Sequence, residues 1–136
     1  MADDVVLNKV SIIERCVARV REEYAGDDAN LLGDQTRQDS IILNLQRARE
    51  SAIDLAMHLV RARRLGIPQE TREAFELLRD AKVVSADVAD RMTRMVGFRN
   101  VALHDYRKLY LQIVKNIVAT RLDDFLAFTR EVLAQL

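Results

Sequence analysis

Apolar residues recur along this chain at steps of three and four, the spacing that puts them on one side of an α-helix. Val6, Val10, Ile13, Val17, Val20 and Tyr24 form the first such stripe, and "GDD" at 26 to 28 ends it. Residues 26–39 mix Gly, Asp, Asn and Thr without a period and are expected to form a loop, with Leu31 and Leu32 dipping back into the core. The longest stripe follows: Ile41, Leu45, Ala48, Ala52, Leu55, Leu59 and Ala62, with Asp39 or Ser40 as the expected N-cap and Gly66-Ile67-Pro68 as terminator. A short helix is predicted over 71–82, carrying Phe75, Leu77 and Leu78. Ser85, with Asp87 in the first turn, should cap a fourth helix built on Val88, Met92, Met95 and Val96 and running on through the segment "RMVGFRNVALHDY". Leu111, Val114, Val118, Leu122, Phe125, Phe128, Val132 and Leu136 predict one unbroken last helix. Four long helices and one short one make an all-α, single-domain, up-and-down bundle over residues 1–136.

Composition supports this picture. Four Gly and one Pro in 136 residues leave little material for turns, and aromatics at 5% leave little for strands. The lone cysteine, Cys16, has no internal disulfide partner and belongs beside Ile13 and Val20, as suits a reducing, cytoplasmic setting. No basic-then-apolar leader opens the sequence and no run of about 18 apolar residues crosses a bilayer, so no membrane association is expected. Charge is balanced overall, 21 basic against 21 acidic, but residues 1–40 hold nine acidic and five basic side chains. The remainder therefore carries 16 basic and 12 acidic, and a polyanion would meet that part.

Candidate chemistry concentrates in residues 93–106. On a straight helix at about 100° per residue, Thr93, Gly97, Asn100 and His104 fall within about 60° of one another, whereas Arg99 points about 140° from His104. Gly97, expected in mid-helix, would floor a groove there, since glycine is tolerated where a backbone or ligand comes close. Imidazole exchanges a proton near neutral pH, and guanidinium matches a phosphate or phosphorane. Arg plus His without metal ligands suggests RNA cleavage through the 2′-hydroxyl, a reaction served by one base and one acid. Because one helix cannot aim Arg99 and His104 at the same atom, either the helix breaks near His104 or a second copy of the chain supplies the missing half. The spacing also suits a simpler role, with the His at helix carbonyls and the Arg in a surface ion pair.

Elsewhere the sequence offers less. His58, on the flank of the second stripe, suits packing or an interface; "RARR" at 61–64 suits a solvated helix end; Asp123 and Asp124 suit an exposed helix face. HExxH, CxxC, phosphate-loop and GxSxG patterns are absent, so neither a metal nor a cofactor is expected.

The stretch "RNVALHDY", residues 99–106, resembles the Arg-x4-His-x-Tyr motif of HEPN-domain toxins of the HepT type. "ILNLQRARESAIDLAMHLV", "REAFELL" and "RLDDFLAF" are similar to that family in order and spacing, so the likeness covers most of the chain after about residue 35. The resemblance implies a small helical homodimer acting as a ribonuclease toxin beside a minimal nucleotidyltransferase antitoxin. It implies catalysis by Arg99 and His104, assistance from Asn100, and Tyr106 as the hydroxyl to which the antitoxin transfers AMP. The same fold also serves as a non-catalytic module that binds a nucleotidyltransferase or a nucleotide, and this remains the alternative.

Overall fold

A computed structural model of the protein describes residues 2–97 and 107–136, and among these every regular element is an α-helix. In chain order these are α1 (Ala2–Tyr24), α2 (Asp28–Leu32), α3 (Gln35–Ala62), α4 (Thr71–Asp80), α5 (Ala86–Val96), α6 (Arg107–Thr120) and α7 (Leu122–Leu133). The stripes of α1 and α3 are buried against each other and the helices run antiparallel, as the ties Lys9–Asp54 and Arg37–Glu23 show. α5 and α7 are likewise antiparallel, joined by Arg91–Asp124 near one end and Ser85–Glu131 near the other. α4 packs on α3 and α5, and its Phe75 meets Phe128 of α7 edge to face, ring centroids 5.5 Å apart. Cys16 is buried in the same core.

Three expectations about element boundaries need correction. The stretch 26–39 is not a loop throughout. Asp27 and Asp34, each in extended conformation, accept backbone N–H groups from Ala29 and Arg37 and so start α2 and α3, the latter five or six residues earlier than an N-cap at Asp39 or Ser40 would allow. The reversal that makes this possible lies at Ala25 and Gly26, both at positive φ. Leu31 is fully buried, but Leu32 is exposed.

The last helix is not continuous either. It breaks at Arg121, whose backbone leaves the helical region (φ −122°, ψ 0°). Two local effects favour a break: the Thr120 hydroxyl donates to the carbonyl of Asn116, a back-bond that bends helices, and Asp123 and Asp124 suit the first turn of a new helix. Because the apolar stripe keeps its phase across the break, periodicity alone does not reveal it. Among the described residues, seven helices thus replace the expected five.

The stripe ends also differ. Ala62 closes α3 in an exposed position and Leu136 lies exposed beyond α7, while Tyr110 rather than Leu111 is buried on α6.

Candidate functional site

Ser85 starts α5 as expected: its hydroxyl accepts the N–H of Val88, while its own N–H and O–H donate to Glu131. The helix then runs to Val96, and Gly97 occupies the C-cap with φ −70°, its N–H donating to the carbonyl of Thr93. Gly97 therefore does not sit in mid-helix. A Cβ built on it would meet only the carbonyl oxygens of Arg94 at 3.4 Å and Thr93 at 3.5 Å, so among the described residues no second backbone approaches it. Arg99, Asn100, His104 and Tyr106 lie outside the described residues, as does the expected end of the helix that carries them.

What the structure does show is the frame into which this segment is set. Two clefts meet at Gly97. One, of about 350 Å³, lies between α5, α6 and α7 and is lined by Arg91, Arg94, Met95, Gly97, Asn116, Arg121 and Asp124, with Ile113 and Ile117 beside them. The other, of about 470 Å³, is lined by Thr93, Val96, Gly97, Arg49 and the start of α4. Thr93 and Gly97 share this second cleft, as residues four apart on one helix face should.

Two arginines of the first cleft are matched by carboxylates. Arg91 pairs with Asp87 at 3.0 Å and Asp124 at 3.1 Å, and the hydrogen bonds it donates to these two carboxylates hold its guanidinium further above its already high ordinary pKa. Arg94 pairs with Asp90 one turn earlier. Asp124 is buried, 5% exposed, which corrects the expectation that Asp123 and Asp124 share an exposed face; Asp123 alone is exposed, pairing with Arg21 at 2.6 Å. Asp124 lies one turn before the buried Phe128 and faces α5, where its carboxylate accepts from Arg91.

Three further side chains, none singled out by sequence, fix the ends of the motif segment. Arg49 of α3 donates from Nε and Nη2 to the carbonyl of Val96, at 3.0 and 2.6 Å. Gln38, buried at 4% exposure, donates to the carbonyl of Leu31 at 2.9 Å and accepts from Arg107 at 2.6 Å. Gln46 donates to the hydroxyl of Tyr110 at 3.3 Å; burial raises the pKa of that phenol, and the bond from Gln46 opposes the rise. Gln38 had a legible signal, since it lies three residues before Ile41 on the α3 stripe, in a position normally apolar. Arg49 had none: its partner is a backbone carbonyl 47 residues away.

His58 is partly buried, and its Nε2 is enclosed without a hydrogen-bond partner among the described residues, in keeping with a packed role. Arg61, Arg63 and Arg64 are exposed at the end of α3. Among the described residues no cluster of three or more His, Cys, Asp or Glu side chains could hold a metal, and no helix is long and apolar enough to cross a membrane.

Comparison with known proteins bears on what this frame holds. The model of a family described as ribonuclease HepT-like matches residues 13–132. The mRNA nuclease HepT of Shewanella oneidensis is 42% identical over 133 residues, covering 98% of this chain and 99% of that protein. Among solved structures, the tri-AMPylated Shewanella oneidensis HEPN toxin in complex with MNT antitoxin superposes with a TM-score of 0.85 at 43% identity, covering 96% of this chain and 98% of that one. A toxin–antitoxin structure with AMP-PNP superposes with a TM-score of 0.86 at 42% identity over the same shares.

Proposed function

The chain belongs to the HepT-like ribonuclease family, and we propose that it is a metal-independent endoribonuclease toxin, acting in the cytoplasm as a homodimer and held in check by a minimal nucleotidyltransferase antitoxin. The observation that carries this reading is 42% identity to an mRNA nuclease across 98% of the chain, together with an intact Arg-x4-His-x-Tyr motif at Arg99, His104 and Tyr106.

RNA carries its own nucleophile. A neutral His104 takes the proton of the 2′-hydroxyl as its oxygen attacks the adjacent phosphorus. The protonated His104 of a second copy gives its proton to the departing 5′-oxygen, so one chain with one motif histidine needs a partner. Cleavage leaves a 2′,3′-cyclic phosphate and a 5′-hydroxyl, and no metal is consumed or required. Arg99 pairs with the charge that gathers on the phosphorane oxygens, and Asn100 supplies a neutral donor beside it. AMP transferred to Tyr106 would bring an anion close to Arg99 in competition with the RNA phosphate.

Expression of the protein alone should arrest growth, and Arg99→Ala or His104→Ala should each restore it with the helical circular dichroism intact. Equal toxicity of all three proteins would overturn the assignment. Co-expressed with its nucleotidyltransferase, the protein should gain mass in AMP steps that vanish in Tyr106→Phe.

A further inference from the structure

The geometry points to Arg49 and Gln38 as positioning residues for RNA cleavage: from a single helix, α3, they grip the two ends of the segment that carries Arg99 and His104. This rests on the reading of those two residues as catalytic.

Arg49 and Gln38 are eleven residues apart in sequence. On an α-helix eleven steps amount to about 1100°, within about 20° of three full turns, so both side chains leave α3 on the same stripe, about 16 Å apart along its axis. The chain they hold also counts eleven steps, from Val96 to Arg107. Eleven steps of extended chain span at most roughly 36 Å. Both Val96 and Arg107 are thus tied to one rigid rod.

The two grips differ in kind. Val96 is the last residue of α5, where carbonyls lack helical partners and the helix dipole is negative; the Arg49 fork places two N–H groups and a positive charge on that oxygen. The Arg49 side chain is only 20% exposed, and Glu50 takes one further N–H at 3.1 Å. At the other end Gln38 is buried and engaged on both sides: its amide nitrogen donates to the carbonyl of Leu31, and its amide oxygen receives Arg107, the first residue after Tyr106. Gln35 also approaches that oxygen, at 3.3 Å. An apolar side chain at either position would fill the space but hold nothing.

A residue that only stabilises the bundle changes how much protein is folded; one that positions the reacting groups changes turnover by the folded protein. The test is single-turnover and steady-state cleavage of a labelled single-stranded oligoribonucleotide by the full chain, with folding followed by circular dichroism and urea titration. Arg49→Met and Gln38→Leu should each lower kcat on the order of tenfold to a hundredfold, the scale of a misplacement near 1 Å, with KM changed less than about twofold. Gln38→Glu, which keeps an acceptor for Arg107, should recover part of the loss; Arg49→Lys, with one ammonium in place of a fork, should fall between wild type and Arg49→Met. Should Arg49→Met or Gln38→Leu not fold, the conservative variants decide: Arg49→Lys and Gln38→Glu folding with wild-type kcat overturn the proposal. Folded Arg49→Met and Gln38→Leu with wild-type kcat overturn it as well. In either case cleavage that still depends on His104 leaves the proposed function standing, whereas cleavage undiminished by His104→Ala removes that function, and the positioning role with it.

Discussion

Between α1 and α3 the interface is a continuous apolar seam: Val6, Val10, Ile13, Val17 and Val20 on one side and Ile41, Leu45, Ala48, Ala52 and Leu55 on the other are all at most 4% exposed. Around the end of α5 and the start of α6, polar ties among the described residues add to the packing of Met95, Val96 and Tyr110. Arg49 reaches the Val96 carbonyl, Gln38 reaches Arg107, and Arg91 reaches Asp124. An apolar seam spreads its energy over many small contacts and tolerates a volume-conserving change, but it says little about the placement of any one atom. A hydrogen bond from a buried donor fixes one atom against another within tenths of an ångström and loses its value when either partner goes. The bundle thus uses packing for stability and polar anchors where position matters.

The largest test of this contrast strikes the packed interior. Phe75→Ala, which empties the ring from its edge-to-face contact with Phe128, should cost about 3–5 kcal/mol in urea titration. The protein that remains folded should keep its turnover. A loss below about 1 kcal/mol would mean that the interior collapses around the gap.

Asp124→Ala should cost less, about 1.5–3 kcal/mol, the usual worth of a hydrogen bond to a charged group. Arg91 retains Asp87 at 3.0 Å, so the result should lie toward the low end; an effect near zero would place this pair with the solvated ion pairs of the surface. Ser85→Ala removes both the cap on Val88 and the hydroxyl bond to Glu131, leaving the backbone N–H bond in place, and about 1 kcal/mol should be lost. A Tm unchanged from wild type would show that another group takes over the cap.

The smallest effect concerns the junction of α1, α2 and α6, where the Tyr24 hydroxyl donates to Asp28 and Lys115 pairs with the same carboxylate at 3.3 Å. The bond from Tyr24, helped by Lys115, lowers the Asp28 pKa below its ordinary 3.8. A carboxylate with a depressed folded pKa stabilises above its unfolded pKa and ceases to do so as pH falls through the folded value. Tyr24→Phe should therefore be slightly less stable than wild type at neutral pH, and the gap should close only as pH drops below 3.8. A gap that persists after full protonation would assign the effect to packing of the ring.

How much of this was legible in advance differs between elements. The stripes of α1, α3 and α5 were plain because burial on one side of a helix forces a three-four period, and Ser85 was plain because a cap is a local hydrogen bond. The start of α3 was not, since Asp34, Asp39 and Ser40 are all competent caps and only the seating of Leu31 under α3 chooses among them. The break at Arg121 carried a faint signal in Thr120 and the Asp pair, masked by a stripe that runs on in phase.

The sequence by itself determined an all-helical chain, its main apolar faces, and a motif whose residue types and order identify the family; all of these depend on neighbours within a turn or two, or on the identity of residues in a row. Only the tertiary structure decided which helix holds the ends of the motif segment, that Asp124 is buried against Arg91, and that Gln38 is committed to both Leu31 and Arg107. Each of these joins groups dozens of residues apart or assigns a polar side chain to a backbone atom, and a carbonyl oxygen, being the same in every residue, leaves no mark in a sequence for its partner to be read from.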